Sequence, residues 1–338
     1  MSLLGQFSAR IFAGIAYAVL DATGWKKKTV KANLRHVSQG TFDTSCVILR
    51  SKATKNPVTE WKSRELYKKM LKNLTRHVGE LLFCFDTYKK LPENCAAYPC
   101  KRDGWNFEIA EGATPVIEKM RGGGIFLTAH YGNYEASGAW LCALGVPLKA
   151  SFIPLKPAWL NRYVYENVRC VRGRPYSISA KTPREFLNLL DGKPEKSRGK
   201  CPKENSKSNL QKPASDEPRG NRQLFCLLAD QDSRIGSALD GTFLGQPAKI
   251  NPLPDFLLKH RPDTPVFFCW IDERGNRKIL HAVEANFNKL DSRLRENDNS
   301  IVDGAYRSWL EERIRENPAL WYGWTHRRFR SKNPEIYP

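Results

Sequence analysis

The stretch from Gly122 to Pro147 constrains the fold of this chain more than any other. Three glycines, Gly122-Gly123-Gly124, lead into the uncharged apolar run Ile125-Phe126-Leu127-Thr128-Ala129. A short run of this kind, bounded by turn residues, reads as a strand covered on both faces. His130 closes it, Asn133 stands where an N-cap belongs, and the residues up to Gly145 are expected to be helical, with Pro147 beyond the end. Strand, tight turn and helix in this order are the unit of a parallel sheet, because a parallel neighbour is reached only by a crossover. Two further apolar runs, 224–229 and 266–271, repeat the strand signal. The expected fold class is therefore α/β, a mostly parallel sheet flanked by helices. With 338 residues the chain can form one large domain of this type or two ordinary ones.

Upstream, from Thr29 to about Pro92, Trp61, Leu66, Met70, Leu74, Val78, Leu81 and Leu82 recur at three- and four-residue steps among Lys and Arg. That spacing predicts a helix whose apolar face points to the core. Thr182 and Pro183 mark another helix start. Between Asp191 and Arg222 the composition turns to Lys, Ser, Pro, Asn, Glu and Gly, with almost nothing to bury. Such a segment cannot offset its ordering entropy, so 191–222 is expected to be a flexible insertion. The first 25 residues are mostly apolar, charged only at Arg10 and Asp21, and run into Lys26-Lys27-Lys28. A signal peptide, a marginal span and an interfacial helix all fit this pattern. The basic flank favours a hydrophobic membrane anchor over 1–28, spanning or not, with the domain 29–338 on the cytoplasmic side.

Lys and Arg number 55 against 35 Asp and Glu, a net charge of +20. A field of that sign attracts anionic partners: nucleic acid, an anionic membrane, phosphorylated substrates or an acidic carrier protein. Nucleic acid fits least, since Trp140, Trp159, Phe225 and Phe267 mostly fall in apolar runs and are not interleaved with Lys and Arg as stacking platforms. The nine cysteines are scattered, without a Cys-x-x-Cys pair, so neither a structural metal nor a disulfide framework is expected, and a reducing compartment fits best.

His130 is expected at the carboxyl end of a buried strand, the edge at which open α/β sheets bind ligands. Glu135 falls in the first turn of the following helix, where it stabilises the helix end and can turn back to the imidazole. A carboxylate on one ring nitrogen leaves the other free to take a proton from a hydroxyl. Taken alone, a His and a Glu five residues apart are more often incidental than catalytic. Arg169 and Arg172 are expected to share a helical face, and Asp230 ends an apolar run at the same sheet edge.

Thr128-Ala129-His130-Tyr131-Gly132-Asn133-Tyr134-Glu135 resembles the His-x4-Asp/Glu motif of the glycerolipid acyltransferase superfamily, in the version carried by the lauroyl and myristoyl acyltransferases of lipid A biosynthesis. Other segments resemble that family in the same order: residues 161–172 with Arg162, Arg169 and Arg172, then Ala229-Asp230-Gln231-Asp232, Phe243-Leu244-Gly245-Gln246-Pro247-Ala248, and Trp324-Thr325-His326-Arg327-Arg328-Phe329. The insertion 191–222 has no counterpart in it. The resemblance implies a glycerolipid-acyltransferase-like fold with an N-terminal anchor helix, at the cytoplasmic face of the cell inner membrane. It implies acyl transfer from acyl carrier protein to a hydroxyl of a lipid A precursor, without metal or organic cofactor. On that reading His130 is the base and Glu135 its orienting partner. Gly132 and Asn133 lie where backbone N–H groups can face an oxyanion, while Arg169, Arg172 and Asp230 are substrate contacts. Another glycolipid or a lysophospholipid as acceptor, and a basic membrane-peripheral protein without catalysis, are the competing readings.

Overall fold

The computed structural model describes residues 2–39, 60–92, 100–151, 156–178, 182–193, 222–287 and 301–338. The side chain of Trp61 and most of the expected insertion, 194–221, lie outside them. Helices α1 (Ser2–Thr23), α2 (Lys27–Ser38), α3 (Glu60–Phe83) and α4 (Phe85–Lys89) precede the strands β1 (Cys100–Arg102) and β2 (Trp105–Ile109). Then come α5 (Ala113–Met120), β3 (Gly124–Thr128), α6 (Tyr134–Ala143), β4 (Leu148–Ser151) and α7 (Ala158–Tyr163). The short strands β5 (Cys170–Val171), β6 (Arg174–Pro175) and β7 (Ser177–Ile178) follow, then α8 (Pro183–Leu190), β8 (Leu224–Leu228), β9 (Leu239–Phe243) and β10 (Gln246–Ile250). The chain continues through α9 (Leu253–His260), β11 (Val266–Arg274), β12 (Arg277–Glu284) and α10 (Ile301–Glu316).

Eight strands form one sheet in the order β1-β2-β12-β11-β3-β8-β4-β7. Only β1 with β2 and β11 with β12 pair antiparallel within it; the other five pairs are parallel. The three runs expected as strands, now β3, β8 and β11, are its adjacent centre. Their side chains alternate between two cores. Ile125, Leu127, Phe225, Val266 and Phe268 enter the core under α8, α9 and α10. Phe126, Cys226, Phe267 and Cys269 enter the one under α5 and α6. Burial on both faces is why these strands read as unbroken apolar runs.

Local signals position the helices. Thr182 accepts from the Glu185 amide and Glu185 returns to the Thr182 amide, a capping box with Pro183 inside it. Asp191 ends α8 and binds Arg261 through both carboxylate oxygens, each at 2.7 Å, so this first residue of the expected insertion is part of the folded domain. In α3, Leu66 and Met70 are buried as the spacing requires and Leu74, Val78, Leu81 and Leu82 are half-buried, but Thr75, His77 and Glu80 are buried as well. That face is thus not purely apolar. Helix α1 crosses α3 at glycine: a Cβ on Gly79 would stand 2.7 Å from the Ala9 carbonyl oxygen, so only glycine permits the approach. The far side of α1 exposes Leu4, Phe7, Ile11, Ile15 and Val19, at successive three- and four-residue steps. Among the described residues no helix is long and apolar enough to cross a membrane.

The thiols differ in one respect from expectation. Cys100 is disulfide-bonded, while Cys84, Cys142, Cys170, Cys226 and Cys269 are free. Among the described residues no cluster of His, Cys, Asp and Glu is arranged to hold a metal ion.

Candidate active site

Strands β3 and β8 run parallel with Thr128 opposite Leu228. His130 and Asp230 each follow their strand by two residues, so register alone brings them face to face at the carboxyl edge of the sheet. The His130 Nδ1–H donates to Asp230 Oδ1 at 2.8 Å, and the His130 backbone N–H donates to Oδ2 at 3.1 Å. Trp321 Nε1–H adds a third donor to Oδ2 at 3.0 Å. Burial pushes the fully enclosed Asp230 carboxyl upward, but the imidazole and these donors outweigh it and hold the group down at about 2. For His130 burial acts first and downward, yet the Asp230 charge and hydrogen bond keep the imidazole above its ordinary value. A carboxylate that accepts at Nδ1 fixes the tautomer with its lone pair on Nε2. That atom is at the opening, 3.4 Å from the amide nitrogen of Gln231, and the ring retains 20% exposure.

Glu135 does not orient His130, contrary to the sequence expectation. Its two oxygens accept from Arg169, at 3.1 Å from Nε and more closely from Nη2. The guanidinium outcompetes the imidazole because it satisfies both oxygens at once. Burial lowers Arg169, but Glu135 raises it further than burial depresses it, so the guanidinium stays charged. Arg169 is accordingly committed to Glu135 and does not present its fork to a phosphate.

Arg172 does not share a face with it. Helix α7 ends in a π-turn, Val164–Val168, and Arg169 is its cap. Arg172 stands in the β5–β6 turn at φ 52°, donating to the carbonyl of Ala143 at the end of α6. The two strand residues between them, Cys170 and Val171, break the expected helical spacing.

Gly132 has φ 57°, a left-handed conformation that glycine adopts without strain. Its N–H donates to the Leu320 carbonyl at 2.8 Å and is therefore not an oxyanion donor. Asn133 caps α6 as expected, its Oδ1 accepting from the Ala136 N–H. Its amide nitrogen, however, points inward to Glu80 Oε2 at 2.8 Å, and the residue is only 4% exposed, so its side chain serves the turn and not a substrate.

Sequence reasoning missed the segment that grips the turn from the C-terminal side. Tyr131 bridges Trp321, Gly132 donates to Leu320, and the Tyr322 N–H donates to the His130 carbonyl at 2.7 Å. Nothing in the spacing connects residues 320–322 with 130; an indole with no polar partner in its own segment was the one available signal. The ring centroid of His326, from the same C-terminal segment, is 5.5 Å from that of His130. Desolvation, then the His130 charge, hold it below its ordinary value. Arg328, from the same basic cluster, is 2% exposed and donates to the Lys249 carbonyl, so it belongs to the interior. A separate cavity of about 480 Å³ opens beside α2, lined by Lys28, Lys31, Arg35 and His36 and not by His130.

No family model matches the chain, and no curated protein is significantly similar to it.

Proposed function

We propose that this chain is an acyltransferase that moves a fatty acyl group from the thioester of acyl carrier protein to a hydroxyl of a lipid A precursor. The observation that carries the reading is the His130–Asp230 pair. One ring nitrogen is locked to a buried carboxylate, and the other faces outward with its lone pair. That is the base-and-orienter half of a triad, for which a substrate hydroxyl supplies the nucleophile. The motif resemblance around His130 supplies the choice of substrates.

In the reaction Nε2 takes the hydroxyl proton as the oxygen bonds to the thioester carbonyl carbon. Asp230 stabilises the imidazolium that results. Collapse of the tetrahedral adduct breaks the carbon–sulfur bond, and His130 returns the proton to the departing thiolate. The helix α6 begins beside the turn, and its N-terminal end favours the negative charge that develops on the carbonyl oxygen. Glu135 and Arg169 act as a closed ion pair that shapes the site wall.

We further propose that α1 lies in the interface of a cytoplasmic membrane face and does not span it. Its exposed Leu4, Phe7, Ile11, Ile15 and Val19 would enter the acyl region, while Lys26, Lys27 and Lys28 meet anionic headgroups. The decisive assay incubates the purified protein with radiolabelled acyl-carrier thioester and a detergent-dispersed tetra-acylated disaccharide, with lysophospholipid in a parallel tube. Label on the disaccharide supports the reading. Label on the lysophospholipid alone moves the acceptor class, and thioester stable in both tubes over the parental protein rejects acyl transfer.

A further inference from the structure

Behind the candidate site lies a group of buried ionisable side chains that the mechanism above does not use. Tyr322, whose backbone N–H holds the His130 carbonyl, directs its phenol to His77 Nδ1 at 2.5 Å. His77 Nε2 reaches Glu273 Oε2 at 2.7 Å. The other Glu273 oxygen accepts from Lys278, whose ammonium also binds both oxygens of Glu80, at 3.0 and 3.1 Å. Glu80 then accepts from the Asn133 side chain at 2.8 Å. The path leaves the turn at His130 and returns to it at Asn133, three residues on.

The hydrogen-bond directions agree along the path from Tyr322 to Glu273, where Arg76 Nη2, 2.9 Å from His77 Nε2, donates to the same Glu273 oxygen and not to the ring. Glu273 as an ionised acceptor requires the proton on His77 Nε2, which leaves Nδ1 to accept from the Tyr322 hydroxyl. The two carboxylates are balanced by Lys278 and by Arg76, which binds Glu273 at 2.5 Å and Glu80 at 3.4 Å. His77, Glu80 and Lys278 are 6%, 8% and 2% exposed at their side chains. An apolar cluster would fill this space at no desolvation cost, and buried ion pairs are weak contributors to stability. What such a set does supply is a fixed geometry, because each donor accepts only one arrangement of its neighbours.

We propose that this closed loop is a positioning frame for the His130 turn, with His77 and Glu80 as positioning residues that hold the imidazole on Asp230 without touching substrate. The proposal rests on His130 being the reactive group, and its test separates the two claims. Tyr322→Phe removes one oxygen atom and opens the loop on the His130 side. Glu80→Gln keeps an acceptor for Asn133 but removes the charge that holds Lys278.

The first readout is the titration of the His130 imidazole by NMR in full-length protein, which requires no substrate. In either variant its midpoint is expected to fall by about half a pH unit or more as the contact with Asp230 loosens. The second is steady-state acyl transfer, where kcat is expected to drop about 10- to 100-fold with KM nearly unchanged, the cost of a sub-ångström misplacement. A variant that only weakens the fold would lower the melting temperature while the His130 titration stayed in place. That result in both variants overturns the frame, as does an unchanged kcat. If Tyr322→Phe does not fold, Glu80→Gln decides alone, and if that too unfolds, His77→Leu, which cuts the loop between Tyr322 and Glu273, must lower the His130 midpoint or the proposal fails. A protein that transfers no acyl group yet shows the shifted titration refutes the proposed reaction and leaves the frame standing.

Discussion

Asp230→Asn separates the structural assignment of the orienting carboxylate from the one the motif implies. The substitution preserves shape but offers an amide where Nδ1–H needs an acceptor, and the amide N–H can force the opposite tautomer. In a serine-protease triad the same change lowers kcat by about 10⁴-fold, and a loss of about 10³- to 10⁴-fold is expected here. Stability gives a second measure. Asp230 titrates at about 2 in the fold against an ordinary 3.8, a difference worth about 2 kcal/mol. Because the folded value is the lower one, that contribution is present above pH 3.8 and is lost as pH falls towards 2. His130 has the opposite sign: its folded value is raised, so its contribution is full below 6.5 and fades as pH rises through the folded value. Both shifts describe one interaction and are counted once. The base must be neutral to act, so the parental rate should rise with pH through the raised His130 value. In Asp230→Asn the desolvation of the imidazole is no longer opposed by the charge of Asp230, and that limb should move to lower pH while the plateau drops. Glu135→Gln should lower the His130 midpoint less than Asp230→Asn does, because the Glu135 charge supports the imidazolium less than Asp230 does, and should impair turnover less, through the loss of the counter-ion to Arg169. Steady-state acyl transfer from pH 5 to 9 (about the range in which His titrates) and histidine NMR measure both. An Asp230→Asn protein that keeps its rate and its pH profile, beside a Glu135→Gln protein that loses both, would return the orienting role to Glu135.

Trp321→Phe removes the indole donor from Asp230, and urea unfolding near neutral pH should show a loss of about 1–3 kcal/mol, with turnover reduced. Phe7→Glu combined with Ile15→Glu places charge on the exposed side of α1, so the protein should stay folded by circular dichroism but stop pelleting with anionic vesicles; undiminished pelleting would move the membrane contact elsewhere. Replacing residues 194–221 with a short Gly-Ser linker should retain most activity, since closure entropy varies only logarithmically with length. Extending that deletion to Asp191 should cost stability in a thermal melt, because it removes the partner of Arg261.

The three strands at the centre of the sheet, and His130 at the carboxyl end of one of them, are legible in the sequence alone. Runs 125–129, 224–229 and 266–271 announce strands because burial on both faces excludes charge from them, and Asn133 and Thr182 announce helix starts because their side chains satisfy local amides. Those are near-neighbour effects, legible without a fold. His130 at a strand end follows from the same local logic. Its partner does not. Glu135 is close in sequence, but Asp230 is close in space, and what decides between them is the register of β3 against β8, a property of two strands about 100 residues apart in number. Arg169 meets Glu135 only because a π-turn ends α7 early and because their elements converge. The grip of residues 320–322 on the turn, and the buried path from Tyr322 through His77 and Lys278 to Asn133, join α3, β11, β12 and the C-terminal segment. Long-range polar contacts leave no periodicity in a sequence, because each needs one donor and one acceptor at a distance that only the folded chain defines.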